Sequence, residues 1–144
     1  MPKLRQAGDD IEGNMMFQGL TYATPLFIAS FFNDTAATRA AIDCGAKVDA
    51  ADDDGITALG WAAMGNMTGV AKVLIEHGAD VNHVDKLGMT PLLYAASVDF
   101  GDSSMVDLLL KSGANAVART REGLTAANLA RKYGLRNLLK SLGP

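Results

Sequence analysis

The chain repeats itself with a period of 33 residues, and this periodicity constrains its fold more than any other feature. Three segments share one wording: "ATPLFIAS", "ITALGWAA" and "MTPLLYAA". Their threonines, Thr24, Thr57 and Thr90, are 33 residues apart each time. A weaker fourth copy, "LTAANLAR", places Thr125 35 residues further along the chain. The sequence therefore predicts at least three copies of one structural unit and a shorter final copy.

A second shared phrase lies between these copies. It reads "CGAKVDAAD", "HGADVNHVD" and "SGANAVART", and its glycines Gly45, Gly78 and Gly113 each precede the next threonine by 12 residues. Two separate phrases that keep one register indicate that the whole 33-residue unit is repeated. Such units bury their apolar faces against their neighbours, so the array is stabilised by stacking.

Each unit carries the signals of two helices. A threonine at the start of the first helix accepts a hydrogen bond from an unpaired amide of the first turn. Pro25 and Pro91 then occupy the first helical position, where the missing N–H group costs nothing. A glycine ends the second helix in a left-handed conformation. Apolar residues at three- and four-residue spacing predict the buried stripe of the second helix: Val70, Val73, Leu74, Val106, Leu109 and Leu110.

A period of 33 with this wording resembles the ankyrin repeat, a β-turn followed by two antiparallel helices. The resemblance implies an all-α solenoid with β-turn or hairpin loops, built from helix-turn-helix units. It places repeats at about 19–51, 52–84 and 85–119, with a C-terminal cap at 120–144. Residues 1–18 fit no complete repeat. They are an N-terminal extension, either a degenerate cap or the remnant of a preceding repeat.

The chain departs from the family pattern in a recurrent histidine and in the length of repeat three. The histidine usual after "TPL" is replaced by Phe27, Gly60, Leu93 and Asn128, so we expect its hydrogen-bonding link between repeats to be absent. Repeat three carries two extra residues within the segment 97–102.

The turn between the two helices usually contains glycine, but repeats one and two have Asn33 and Asn66 there. Asparagine tolerates a left-handed backbone better than most residues, so we expect the turn to be kept. Trp61, the only tryptophan, lies in the first helix of repeat two between apolar neighbours, and we predict that it is buried.

Charge is distributed unevenly along a chain whose net charge is only −3. Residues 1–110 contain 15 acidic and 6 basic residues, whereas residues 111–144 contain 7 basic residues and a single acidic one, Glu122. The polar outer face of a terminal repeat accounts for the basic end. Because no aromatic residues are interleaved with these cations, we do not expect nucleic-acid binding.

Composition also bears on the compartment. One cysteine excludes an intramolecular disulfide, and no run approaches the roughly 18 apolar residues of a membrane span. The polar N-terminal segment lacks the apolar core of a signal peptide. We therefore expect a cytoplasmic protein without membrane association, although a domain cut from an exported or larger protein would have the same features.

Several residues invite a catalytic or metal-binding interpretation. Cys44, His77 and Ser112 occupy one repeat position, so stacking separates them by about 8–10 Å, too far for a nucleophile and its base. His77 and His83 lie on opposite sides of a turn, without a four-ligand zinc pattern. We predict no catalytic residues, no metal site and no cofactor, and therefore no enzyme.

The resemblance instead implies binding of a protein partner through the turn tips and the ends of the first helices, on the concave face. These positions are unusually apolar and lie beside charged residues, which is typical of an interaction site. An alternative is a domain excised from a larger protein that docks against its own neighbouring domain. We expect a monomer. The predicted partner-binding residues are Asp53, Asp54, Ile56, Met64, Lys86, Leu87, Met89, Val98, Phe100 and Tyr133.

Overall fold

The computed structural model describes residues 15–17, 20–98, 100 and 102–142, with side chains from Thr24 onward. Two short strands come first, β1 (Met15–Phe17) and β2 (Leu20–Ala23). They pair in antiparallel orientation, with Met15 opposite Ala23 and Phe17 opposite Leu20. This pair supplies the hairpin that leads into the first helix.

Eight helices follow in the described part of the chain. They form four consecutive pairs, and the all-α repeat solenoid predicted from the sequence is confirmed. The helices are α1 (Pro25–Phe31), α2 (Thr35–Asp43), α3 (Ala58–Met64), α4 (Thr68–Glu76), α5 (Pro91–Ala95), α6 (Ser104–Lys111), α7 (Ala126–Lys132) and α8 (Arg136–Leu142).

The helices pack in two rows. The first helix of each pair contacts the first helix of the next, so that α1, α3, α5 and α7 form one row. The second helices α2, α4, α6 and α8 form the other. We call these rows the inner and the outer helices. The core lies between them and consists of small and branched apolar side chains, including Leu59, Leu74, Leu92, Val106 and Leu109.

The predicted threonine caps are present at all four positions. Thr24, Thr57, Thr90 and Thr125 each precede an inner helix and accept a hydrogen bond from the amide three residues on, at 3.2–3.4 Å. In the last unit Asn128 completes a capping box, because its Oδ1 accepts from the amide of Thr125 at 3.0 Å. The threonines therefore fix where every inner helix begins.

The helix ends also follow the prediction. The asparagines between the helices, Asn33 and Asn66, have φ values of 56° and 55°, and the glycines after the outer helices also have positive φ. Most of the predicted outer-helix stripe is buried; Leu110 is only partly so. The prediction for Trp61 is wrong: its side chain is only partly buried. Its indole lies on the side of α3 that faces Asp52.

Hydrogen bonds connect successive repeats in the segments between each outer helix and the next turn. Asp49 accepts a hydrogen bond from the amide of Asp80 at 2.8 Å, and Asn82 accepts one from the amide of Asn115 at 2.7 Å. These two bonds occupy equivalent positions of successive repeats. The Nε2–H of His83 adds a bond to the carbonyl of Gly55 at 2.7 Å. Hydrogen bonds between repeats are thus present although the usual histidine is missing. They come from residues outside the "TPL" phrase.

Candidate functional site

In repeats two and three the tip is a turn closed by one side chain. In repeat two the Oδ1 atom of Asp52 accepts hydrogen bonds from the amides of Asp54 and Ile56, both at 2.9 Å. In repeat three the Oδ1 atom of Asp85 accepts from Leu87 and Met89 in the same way, at 2.8 and 3.0 Å. An acidic residue that bonds amides two and four positions later holds the turn in one conformation.

Neighbouring tips are joined into a continuous row. The amide of Lys86 donates to the carbonyl of Asp54 at 3.0 Å, and its ammonium group donates to the carbonyl of Asp53 at 2.6 Å. One repeat further on, the guanidinium group of Arg121 donates to the carbonyl of Lys86. Each basic residue therefore reaches back one repeat, so the tips are held at a fixed spacing.

Two aromatic side chains of the inner helices are attached to the same acidic residues. The indole Nε1–H of Trp61 donates to Oδ2 of Asp52 at 2.9 Å. The hydroxyl of Tyr94 donates to Oδ2 of Asp85. In both repeats the aromatic residue follows the aspartate by nine positions. This pairing was not predicted from the sequence, although an aspartate and a polar aromatic residue at one register in two repeats could have indicated it.

Tyr94 is held as a neutral phenol. Burial raises its pKa, and the hydrogen bond to Asp85 together with the negative charges of Asp85, Asp52 and Asp54 raises it further. The hydroxyl therefore keeps its proton and remains a donor to Asp85 at neutral pH. The same causes show that a negative potential acts on the ring from two successive tips.

The structure places most of the predicted partner-binding residues at the surface. Leu87, Val98 and Tyr133 are 54%, 39% and 51% exposed, respectively. The charged tip residues are exposed as well, and three others are partly buried. We call the apolar members the inner-face stripe: Met64, Leu87, Met89, Val98, Phe100 and Tyr133.

Ile56 is an exception, because the expectation that its side chain faces water is wrong. It is only 6% exposed. A Cβ atom built on Gly60 would come within 2.9 Å of Cγ2 of Ile56, so the isoleucine occupies the space beside a residue without a side chain. It lines a narrow crevice together with residues of repeat three, among them Met89 and Pro91. Ile56 therefore belongs to the packing between repeats.

The extra residues of repeat three form one wall of a small groove. Val98, Phe100 and Asp102 line one side, and residues 134–138 of the last unit line the other. The groove has a volume of about 140 Å³ and lies beside the exposed Arg136. This insertion therefore extends the inner-face stripe towards the C-terminal cap.

Two phenylalanines at the end of α1 form a separate apolar patch. Phe31 and Phe32 are 62% and 73% exposed, and their rings meet edge to face at a centroid distance of 5.5 Å. The sequence also allows Met15, Met16 and Phe17 to cover this pair, but their side chains lie outside the described ones.

The repeat wording has a direct counterpart among known families. Two overlapping segments, residues 9–85 and 26–120, match the model of a family described as ankyrin repeats (3 copies). Together they cover well over half of the 144 residues. The chain belongs to the ankyrin repeat family. No curated protein matches the chain.

Ankyrin repeats are in general protein–protein interaction modules, and the family is typically non-enzymatic. The helices of the described residues offer no span long and apolar enough to cross a lipid bilayer. The domain boundary proposed at residue 18 stays a prediction.

The residues that suggested chemistry have structural partners in this ankyrin array. Cys44, His77 and Ser112 are the C-cap residues of α2, α4 and α6, as the shared register predicted. The Nδ1–H of His77 donates to the carbonyl of Val73 at 2.7 Å, and the hydroxyl of Ser112 donates to that of Leu108 at 2.8 Å. Within the described ranges there is no cluster of three or more histidine, cysteine or acidic residues that could hold a metal ion.

Proposed function

We propose that this chain is a non-enzymatic module that binds a protein partner through its turn tips and the inner-face stripe. The exposure of the stripe carries the proposal. Leu87 and Tyr133 each leave about half of a large apolar side chain in water, and Val98 lies between them in the array. Contiguous exposed apolar surface bordered by charge is typical of binding sites.

The rigidity of the tips supports this function as well. Asp85 fixes the turn that carries Leu87, and the bond from Lys86 to Asp54 fixes that turn relative to repeat two. A surface that is already ordered loses little conformational entropy on binding. The free chain is thus prepared to hold a partner without rearrangement.

The test is partner capture by an immobilised chain and by its Leu87→Ser/Val98→Ser variant. Both substitutions remove exposed apolar side chains, so the thermal melt followed by circular dichroism should stay unchanged. We expect the double variant to lose the captured partner. The matched control is Val117→Ser, because Val117 is 71% exposed but lies outside the stripe. If the double variant captures the same partner as the parent chain, the stripe is not the binding face.

The exposed pair Phe31 and Phe32 favours a second candidate function. In this alternative the chain is part of a larger protein, and the phenylalanines dock against a neighbouring domain. Light scattering of the chain and of its Phe31→Ser/Phe32→Ser variant distinguishes the two candidate functions. If the parent chain self-associates and the variant does not, the phenylalanines form an uncovered docking face.

A further inference from the structure

The chain has an electrical direction along the array. Residues 24–98 contain 9 acidic and 4 basic side chains, whereas residues 102–142 contain 3 acidic and 7 basic ones. On the tip of repeat two, exposed Asp53 and Asp54 outnumber Lys86, whose ammonium group lies against the carbonyl of Asp53. In the last unit, exposed Lys132 and Arg136 outnumber Asp102 across the groove. The inner-face stripe lies between these two charged ends.

Trp61 and Tyr94, on the acidic half, have no free donor to offer to a partner. The Nε1–H of Trp61 and the hydroxyl of Tyr94 already donate to Asp52 and Asp85. Both side chains are partly buried, so their rings are still available for contact. Carboxylates at the ring edges make the rings a favourable place for cations, which also bind to aromatic faces. The groups that suit this half of the face are therefore basic or apolar.

The opposite half favours anions. Arg136 borders the groove beside Val98 and Phe100, and Lys132 lies over the ring of Tyr133 at 5.6 Å from its centroid. A carboxylate of a partner at this groove would meet Arg136, with Lys132 beside Tyr133 nearby. These two cations outnumber Asp102, which lines the opposite wall of the groove. A uniformly basic partner would be repelled here, and a uniformly acidic one would be repelled by Asp53 and Asp54.

We propose that the partner binds as an extended segment with opposite charges at its two ends. Its basic end lies over Asp53, Asp54 and Trp61, its apolar centre lies on the inner-face stripe, and its acidic end lies against Lys132 and Arg136. Repeat two and the last unit are two packing steps apart, about 20 Å, and the two charged ends lie at opposite ends of inner helices about 10 Å long. The segment therefore spans about 22 Å, which corresponds to about seven residues of extended chain. This inference rests on the proposed function and adds the chemistry and the direction of the partner.

Trp61 reports on binding directly, because it is the only tryptophan and lies at the acidic end. The probes are three synthetic peptides of about ten residues with the same Leu-Val centre. One has lysines at one end and glutamates at the other, one has lysines at both ends, and one has glutamates at both ends. We expect the bipolar peptide to change Trp61 fluorescence with at least about tenfold higher affinity than either uniform peptide, and added salt to reduce this preference.

A quencher attached to the bipolar peptide tests the direction. We expect strong quenching of Trp61 when the quencher is on the basic end and weak quenching when it is on the acidic end. Equal quenching from both ends would show that the peptide binds in both directions, which contradicts the proposal.

Charge-neutralising variants locate the two ends. Asp53→Asn/Asp54→Asn and Lys132→Gln/Arg136→Gln should each weaken binding of the bipolar peptide by about tenfold or more. The matched controls remove the same charge from the outer helices: Asp43→Asn/Glu76→Gln and Lys111→Gln/Lys140→Gln. We expect both controls to bind as the parent chain does. A control that weakens binding equally would show that only net charge matters.

The remaining outcomes separate this inference from the proposed function. If the three peptides bind equally, or none binds below about 1 mM, the charge direction is wrong, while the capture assay with Leu87→Ser/Val98→Ser still decides the binding face. A second copy of this chain could also place its basic end on the acidic half. Light scattering tests this: a salt-sensitive oligomer that Lys132→Gln/Arg136→Gln dissociates would show that the charged face binds a second copy and would contradict the bipolar segment.

Discussion

Asp85 joins the tip of repeat three to its inner helix. It is only 8% exposed, and its carboxylate accepts hydrogen bonds from the amides of Leu87 and Met89 and from the hydroxyl of Tyr94. Hydrogen bonds to charged groups contribute more than neutral ones, about 1.5–3 kcal/mol each. A carboxylate removed from water depends on all of its donors.

Tyr94→Phe should therefore reduce the free energy of unfolding by about 1.5–3 kcal/mol, measured by urea denaturation. The ring stays in place, so the loss reports the hydroxyl alone. Tyr133→Phe is the control, because its side chain is half exposed, and it should change stability by less than about 0.5 kcal/mol. Equal effects of the two substitutions would show that the bond to Asp85 contributes little.

At the residue scale the sequence predicted the backbone roles well. Thr57 and Thr90 begin helices because their function depends only on neighbours three residues away. The partners of Trp61 and the burial of Ile56 were not predicted. Both depend on the direction of the side chain and on the space that its neighbours leave free. Ile56 occupies the space beside Gly60, which has no side chain.

The turn between α3 and α4 shows how one residue shapes an element. Asn66 holds this turn at a φ of 55°, and its Oδ1 atom is buried without a hydrogen-bond partner in the part of the chain that the structure describes. A left-handed backbone is costly for residues with a Cβ atom, and asparagine tolerates it better than alanine. The side chain therefore serves the backbone conformation and makes no bond of its own there.

Asn66→Ala should lower the free energy of unfolding by about 1–2 kcal/mol, because alanine meets the full cost of the left-handed conformation. Asn66→Gly should be neutral or stabilising, since glycine adopts this conformation freely and leaves no buried oxygen. Thermal melts of the two variants provide the comparison. A melting temperature for Asn66→Ala at or above that of Asn66→Gly would contradict this explanation of the turn.

Helices are the elements that the sequence specifies most clearly, because caps, prolines and apolar spacing all lie within one repeat. The insertion in repeat three was recognised from a change of spacing, but the groove that it forms with the last unit was not. That groove requires Val98 and Leu135 to come together from different repeats, and no local pattern records such a meeting.

At the scale of the whole molecule, Asp107 connects repeat three to the C-terminal unit. Hydrogen bonds from Ser141 of α8 and from Ser103 lower the pKa of its carboxyl group, and Lys111 lowers it further. A folded-state pKa below the unfolded value stabilises the fold at pH values above the unfolded pKa. This contribution is lost as the pH falls below the ordinary aspartate value and through the lower folded-state pKa.

Asp107→Asn should therefore reduce stability at pH 7, and the difference from the parent chain should shrink as the pH falls towards 3. Chemical denaturation at several pH values measures this difference, and it removes the acid sensitivity that both chains share through other carboxylates. A difference that stays constant with pH would show that the ionised carboxylate is not what holds α8 against α6.

The order of the repeats and the number of complete copies followed from the sequence because the period is regular. The electrical direction of the chain was also visible as an acidic body and a basic end. Where that direction acts was not, since it depends on which of the charged residues lie beside the inner-face stripe. Lys132 and Arg136, on either side of the turn between α7 and α8, do so, while Lys111 and Lys140 lie in the last turns of α6 and α8.

The bonds from Asp49 to Asp80 and from Asn82 to Asn115 have a consequence for how such a chain changes in length. Each bond joins a side chain of one repeat to a backbone amide of the next repeat, at the same register. A duplicated copy of residues 52–84 would therefore bring its own acceptor and its own donor to both new junctions. Gene segments encoding one whole period can then be gained or lost without rebuilding an interface. A gain or loss of part of a period would leave these acceptors facing the wrong amides, so evolution by whole repeats is the route that this architecture leaves open.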